Sequence, residues 1–230
     1  MNHVFIGFDP RQCISYTALH TSISVRSTKP IAITPIIIEQ TPLKRTGLTP
    51  FTFSRFLVPY LCDYRGFGLF LDADMLLLDD ISKLFDLSDE KYAIQIVKNP
   101  KKFEWASAML FNCGHPSNKI MTPEYIETAD KLHHISWLKE DEIGNLPAEW
   151  NHLVGYDVPR HDAKLVHYTQ GVPAFPETRG CEYENEWTND IKYSVSTLPW
   201  ETLMGNSVHA IEVNGKKIPK FKAMQMMGAA

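Results

Sequence analysis

No Cys-x-x-Cys pair occurs in this sequence; its four cysteines, Cys13, Cys62, Cys113 and Cys181, stand far apart. That spacing argues against a zinc ribbon or a disulfide framework and predicts reduced, packed thiols, as in a cytoplasmic protein. Also missing is any run near the roughly 20 apolar residues a membrane helix requires. Met1-Asn2-His3 enters a strand pattern directly, without a basic leader and apolar segment, so export by a signal peptide is not expected. Basic residues are not in excess: 23 Lys and Arg face 27 Asp and Glu, a formal charge of -4. No nucleic-acid partner is therefore expected from the charge of the chain as a whole. Neither G-x-G-x-x-G nor G-x-x-x-x-G-K-[ST] is found, and Gly7 stands alone after the first strand. A nucleotide, if bound, must be held by some other device. Internal repeats and low-complexity tracts are absent as well.

What is present suits one α/β domain: 230 residues, 44% of them hydrophobic, are enough for a sizeable core. The pattern predicts a strand over 4–8, a helix capped by Asp9-Pro10 with Tyr16, Leu19 and Ile23 as its apolar stripe, and a strand over 31–38. Those three form a βαβ unit, hence a mostly parallel sheet flanked by helices. A second helix opens at Thr49-Pro50. On ideal spacing Phe53, Phe56, Leu57, Tyr60 and Leu61 share its face, Pro59 kinks it, and Arg55 falls on the solvent side. Strands follow over 93–97 and 106–111, the latter running into Asn112-Cys113-Gly114. Thr122-Pro123 starts a helix bearing Tyr125, Ile126, Ala129 and Leu132, with His133 and His134 placed as C-terminal caps. A buried strand over 165–168 carries His167. Tyr183, Trp187, Ile191 and Val195 mark a terminal helix, and Lys216, Lys217, Lys220 and Lys222 read as a solvated tail, with peripheral membrane contact as its most ambitious use. The domain is expected over 1–200, with 201–230 as an extension packed on it or a basic tail.

Chemistry concentrates at Leu69-Phe70-Leu71-Asp72-Ala73-Asp74-Met75-Leu76. A buried strand that ends in two carboxylates one residue apart brings like charges together, which is unfavourable unless a cation lies between them. The plain alternative for this Asp-x-Asp is a turn in which Asp bonds its own backbone. Asp79 and Asp80 read as caps of a short helix over 81–85. His167 is the candidate third ligand, the alternative being a satisfied core histidine.

Five segments in fixed order resemble one family: Ser54-Arg55-Phe56-Leu57-Val58-Pro59, Leu71-Asp72-Ala73-Asp74, Phe111-Asn112-Cys113-Gly114, Leu146-Pro147-Ala148-Glu149-Trp150-Asn151 and His167-Tyr168. They are similar to motifs of the GT-A fold retaining glycosyltransferases that include glycogenin and the lipopolysaccharide galactosyltransferases. The resemblance covers roughly the first 170 residues and implies a single GT-A domain. It implies Mn²⁺ or Mg²⁺ on Asp72, Asp74 and His167, and a nucleotide-sugar donor of the UDP type. It places Phe8, Asp9, Arg11 and Tyr16 at the nucleoside, Arg55 at the diphosphate or sugar, and Ala73, Asn112, Gly114 and Gly171 around the donor. The acceptor would be a saccharide, a lipid-linked or another hydroxyl compound. Two departures stand out. The family's lysine after the late histidine is missing from His167-Tyr168-Thr169-Gln170-Gly171-Val172-Pro173-Ala174, leaving Arg179 or Lys164 to replace it. Its Asp-Gln pair is also missing, leaving Asp141 or Glu140 as substitutes. Two rival readings remain: a haloacid dehalogenase-type phosphohydrolase using Asp72 as nucleophile, and a nucleotide-sugar-binding protein without turnover.

Overall fold

The computed structural model describes residues 1–195, 210–219 and 226, grouped in two compact units, 1–191 and 192–230. In the first unit, β1 (Asn2–Gly7) and β2 (Ile31–Ile36) are joined by α1 (Cys13–Arg26) and pair in parallel. Asp9 accepts the Arg11 amide as the cap of a 3-10 turn, Pro10–Gln12, that feeds α1. After α2 (Phe51–Ser54) and α3 (Val58–Leu61), β3 (Phe67–Leu71) lies parallel to β1 on its other side. The chain then breaks at Asp72 and resumes as β4 (Met75–Leu77), followed by α4 (Ile81–Phe85), β5 (Ile94–Ile96), β6 (Ala108–Asn112), α5 (Pro123–Thr128) and β7 (Ile143–Asn145).

The main sheet has the order β2-β1-β3-β6-β5-β7. All its strands run one way except β6, which opposes β3 with Leu71 across from Ala108 and Phe67 across from Asn112. Val4, Phe5, Ile6, Leu69, Phe70, Leu71 and Met109 are essentially inaccessible, as continuous apolar strands covered on both faces must be. Each such side chain contributes about 1.5–3 kcal/mol by leaving water. A second sheet, β4-β9-β8, sets β9 (Leu165–His167) between β4 and β8 (His152–Leu153), with His167 opposite Met75.

Asp80 caps α4 as expected, accepting from the Ser82 amide, while Asp79 pairs with Lys83. The predicted helix after Thr122 is much shorter than its pattern suggests. Arg45 Nη1 donates to the carbonyls of Ile126 and Ala129, both at 2.8 Å, and so satisfies the end of α5 from a distant segment. His133 and His134 are therefore not helix caps; they sit in a 3-10 turn, Leu132–His134, flanked by left-handed Lys131 and Ile135. The terminal helix α6 (Glu184–Val195) buries Trp187 and Ile191, and Asp190 takes a two-pronged ion pair from Arg26.

In the second unit, β10 (Ala210–Val213) and β11 (Lys216–Pro219) form an antiparallel hairpin around Asn214-Gly215, both at positive φ. That is the dipeptide a tight hairpin turn demands. Lys216 and Lys217 thus belong to a strand and not to a loose tail; Lys220 and Lys222 lie outside the described residues. Among the described residues no helix is long and apolar enough to cross a membrane.

Candidate active site

The break between β3 and β4 builds the site. The Asp72 amide still donates to the sheet, to Ser107 O at 2.9 Å, and the Asp74 carbonyl accepts from the Tyr168 amide at 2.9 Å. These two bonds turn the chain at Ala73 and aim both carboxylates to one side, where β9 delivers His167. Ligand atoms of Asp72, Asp74 and His167 all lie within 4.8 Å of one another, and His167 Nε2 is 3.4 Å from Asp74 Oδ1. Ligands about 2.1 Å from one ion can be about 4.2 Å apart, so small side-chain rotations would close the set on a cation.

The electrostatics fit such an ion. Burial raises the Asp72 carboxyl to about 6; Arg55 opposes the shift and Asp74 adds to it. For His167, burial works against the charged ring and the pull of Asp74 overcomes it, leaving its pKa raised. Asp72 Oδ1 and His167 Nδ1 are buried without a hydrogen bond, although Arg55 Nη2 makes a charge contact with the former at 3.0 Å. Two carboxylates and an imidazole are donors suited to Mn²⁺ or Mg²⁺.

Sequence reasoning missed Glu104, which rises from a 3-10 turn (Lys102–Ala106) ahead of β6. Its Oε2 is 3.8 Å from His167 Nδ1, too long for a hydrogen bond but placed as the outer carboxylate that orients a ligating imidazole. No signal in the sequence marks it, because the apolar pattern after it does not give the direction of β6.

Arg55 corrects the helical expectation. It is 7% exposed and points inward, because the chain tightens to a 3-10 turn at Arg55–Leu57 ahead of Pro59, which lacks the amide a regular helix would use. Phe56 and Leu57 are buried as expected, but tightening widens the buried face to Phe51, Ser54, Arg55 and Val58 and leaves Tyr60 and Leu61 exposed. The guanidinium donates to Ala106 O at 2.8 Å and to Asp72 Oδ2 at 3.2 Å, and lies 5.1 Å from the Phe70 ring centre.

Two clefts share Asp74, Thr49, Phe51 and Thr169. The narrower, ≈180 Å³, is lined by Arg55, Asp72, Glu104, His133 and His167. The wider, ≈460 Å³, is lined by Asp9, Arg11, Ala73, Gly171 and Phe175. Asp9 is buried and gripped by Arg11 Nη2 at 2.6 Å, and that hydrogen bond holds its carboxyl below the usual range. Beside it, Phe8 and Tyr16 meet edge to face at 5.5 Å. Gly171 adopts φ 112, and a Cβ there would lie 3.2 Å from Phe175, so only glycine fits without strain. His133 was also missed: its ring stacks on Phe103 at 5.0 Å, and burial followed by the nearby Arg55 lowers its pKa to about 4. It is neutral at neutral pH.

Other expectations for the donor pocket are not met. Since β6 runs antiparallel to β3, Asn112 sits opposite Phe67, about 13 Å along the strands from Leu71. Asn112 and Gly114 line a separate cleft of ≈340 Å³ at that far end; the start of β6, Ala106 and Ser107, is what reaches Arg55 and Asp72. Asp141 is exposed in the turn Glu140–Glu142 before β7, an edge strand three positions from β3, and Glu140 pairs with Lys98. Lys164 is engaged by Glu149 at 3.3 Å. Arg179 is exposed, follows Thr178, which closes the Gly171 loop on Val172 O, and has no ion-pair partner among the described residues. It is the remaining candidate for the missing lysine.

No family model matches the sequence. Protein CDI of Arabidopsis thaliana is 40% identical over 224 residues, covering 82% of this chain and 85% of that protein. Among solved structures, the WbbM bifunctional glycosyltransferase superposes with a TM-score of 0.61 at 16% identity, over 87% of this chain and 50% of that one, so this chain spans half its length. LgtC superposes with a TM-score of 0.60 at 12% identity, over 86% of this chain and 98% of LgtC. GlyE of Streptococcus pneumoniae TIGR4 gives 0.61 at 15% identity, over 88% and 63%. The fold is the expected GT-A glycosyltransferase fold, and by its sequence the chain belongs to the family of Arabidopsis Protein CDI.

Proposed function

We propose that this chain is a metal-dependent glycosyltransferase that moves a sugar from a UDP-sugar to a hydroxyl acceptor with retention of configuration. The observation that carries the reading is the convergence of Asp72, Asp74 and His167 at the broken strand, on a fold shared with glycosyltransferases. Those three residues would hold Mn²⁺ or Mg²⁺, which when bound neutralises charge building on the diphosphate as the anomeric bond breaks, an effect worth several kcal/mol. Asp9, fixed by Arg11, offers a buried acceptor to N–H or O–H groups of the nucleoside in the wider cleft. Arg55 locks Asp72 in place and brings positive charge to the narrower cleft. Neutral His133, whose Nε2 has no partner, is available to a sugar hydroxyl. Phe103, Leu48 and Phe175 rim the two clefts and would exclude water from the bound donor. The acceptor proton passes to a leaving phosphate oxygen, so no protein nucleophile is required. Four free cysteines support a reducing, cytoplasmic setting.

The test is a donor screen that follows sugar release from UDP- and GDP-sugars with Mn²⁺ and with EDTA. Slow release from one UDP-sugar, abolished by EDTA, is expected. Metal-independent release, or hydrolysis of phosphomonoesters instead, would overturn the reading. The engagement of Lys164 by Glu149 favours one second reading, a UDP-sugar-binding protein without turnover, for which UDP and Mn²⁺ bind while release stays at background.

A further inference from the structure

Towards the end of the main sheet that lies away from Asp72, two thiols share one hollow. Cys62 directly follows α3 and Cys113 directly follows β6, and both sulfurs lie over Gly68 of β3. A Cβ on Gly68 would stand 3.1 Å from Cys62 Sγ, 3.4 Å from Cys113 Sγ and 2.7 Å from Val58 Cγ1. Both sulfurs are thus within 3.4 Å of one point, in space that exists because this strand position has no side chain.

Main-chain bonds hold the two cysteines together. The Arg65 amide donates to the Cys62 carbonyl at 3.1 Å, closing the turn after α3, and the Cys113 amide donates to the Gly66 carbonyl at 2.8 Å. The segment carrying Cys62 is therefore tied to the segment carrying Cys113 without help from either thiol. Cys113 is buried and Cys62 only partly so, which leaves one sulfur within reach of solvent and the other behind it.

The acidities of the pair divide in the same sense. A hydrogen bond with Cys113 outweighs burial and holds the Cys62 thiol below its ordinary value, while that pairing and then burial push Cys113 up. Cys62 is the first of the two to become a thiolate, the form that attacks. A lone buried cysteine needs no more explanation than packing. Two side by side, the more acidic one outermost, have the arrangement of an attacking thiol and a resolving thiol.

We infer that Cys62 and Cys113 form a reversible oxidation site that takes a hydroperoxide and closes to a disulfide. The Cys62 thiolate attacks the peroxide, the O–O bond breaks, and the sulfur is oxidised to a sulfenic acid. The other peroxide oxygen takes up a proton and leaves as water or an alcohol. The Cys113 sulfur then displaces the sulfenic oxygen, the S–S bond forms, and the Cys113 proton departs with that oxygen as water. Two thiols lose two electrons and one peroxide gains them; a thiol reductant reverses the change. The closed loop contains β3, Asp72, Asp74 and Glu104, so the bond staples the stretch that carries the acids of the metal site. In a reducing compartment such bonds are transient, as reversible oxidation requires. The inference stands apart from the glycosyltransferase reading.

The test is treatment of the full chain, carrying Cys13→Ser to remove the exposed thiol, with hydrogen peroxide. Thiol counting, non-reducing peptide mapping by mass spectrometry and thermal unfolding follow. The thiol count should fall by two and the Cys62 and Cys113 peptides should appear cross-linked. The unfolding temperature should rise by about 5–10 °C, for closure of a loop of about 50 residues, and dithiothreitol should reverse all three changes. Adding Cys62→Ser should leave the Cys113 thiol intact under the same peroxide and abolish the rise. Peptide mapping of the unsubstituted chain decides the same question without any substitution. Cys62 carried to a sulfinic acid with no cross-link, a cross-link through Cys181 instead, or no loss of thiols would overturn the inference.

Discussion

Replacing Arg55 by methionine tests the buried pair on which the site geometry depends. Arg55 Nη2 and Asp72 Oδ1 are 3.0 Å apart, and both side chains are close to fully buried. Across that distance the attraction at an effective dielectric of about 20 is about 5 kcal/mol. Relief from burying the guanidinium offsets part of it. Methionine keeps most of the volume against Phe70 and Phe51 but leaves Asp72 uncompensated, so the expected loss is about 3–5 kcal/mol. In urea that lowers the unfolding midpoint by about 1–2 M, for a slope of about 2.5 kcal/mol/M. Adding Asp72→Asn to Arg55→Met should restore at least half of the loss, because the orphaned charge is gone, and the double-mutant cycle should give a coupling of about 2 kcal/mol or more. A single variant within 1 kcal/mol of wild type, or two variants whose effects simply add, would refute the claim that Arg55 exists to hold Asp72.

Glu104→Gln should weaken Mn²⁺ affinity about 10- to 100-fold with little change in stability, as loss of a carboxylate behind a ligating histidine does; calorimetry with the metal alone measures it. Asn112→Ala should leave Mn²⁺ and UDP binding unchanged, since the residue sits at the other end of the sheet; a clear loss of affinity would return it to the donor pocket. Asp80 tests acid stability: burial opposes its charge, but hydrogen bonds from Thr28 and Ser82 overcome this and hold its pKa well below the usual value of 3.8. A depressed carboxyl stabilises the fold above pH 4 and loses that contribution as pH falls through the folded-state value. Asp80→Ala should therefore cost about 2–4 kcal/mol at pH 7, from cap and charged hydrogen bonds together, and much less near pH 2, as read from denaturation at the two values.

The broken strand was legible because two acids inside an otherwise apolar run have few explanations, and His167 because its strand is equally apolar around it. Arg55 was not, since a single 3-10 turn before Pro59 buries it together with Phe56 and Leu57, where ideal spacing puts it on the opposite side from them. Asn112 and Gly114 were misplaced because hydrophobic pattern identifies a strand without its direction, and β6 is the strand of the main sheet that runs backwards. His133 escaped notice because the helix expected to carry it is ended by Arg45, about 80 residues earlier in the chain. The hairpin over 210–219 carries its sequence signal in Asn214-Gly215, a dipeptide that a reading of the lysines alone passes over.

The central claim is that Asp72, Asp74 and His167 bind a divalent cation that in turn secures a nucleoside diphosphate. Calorimetric titration of UDP into wild type and Asp74→Asn, each with Mn²⁺ and with EDTA, tests it most directly. Binding that needs Mn²⁺ in wild type and vanishes in the folded variant is the predicted result. UDP binding that is the same with EDTA, or the same in both proteins, would contradict it.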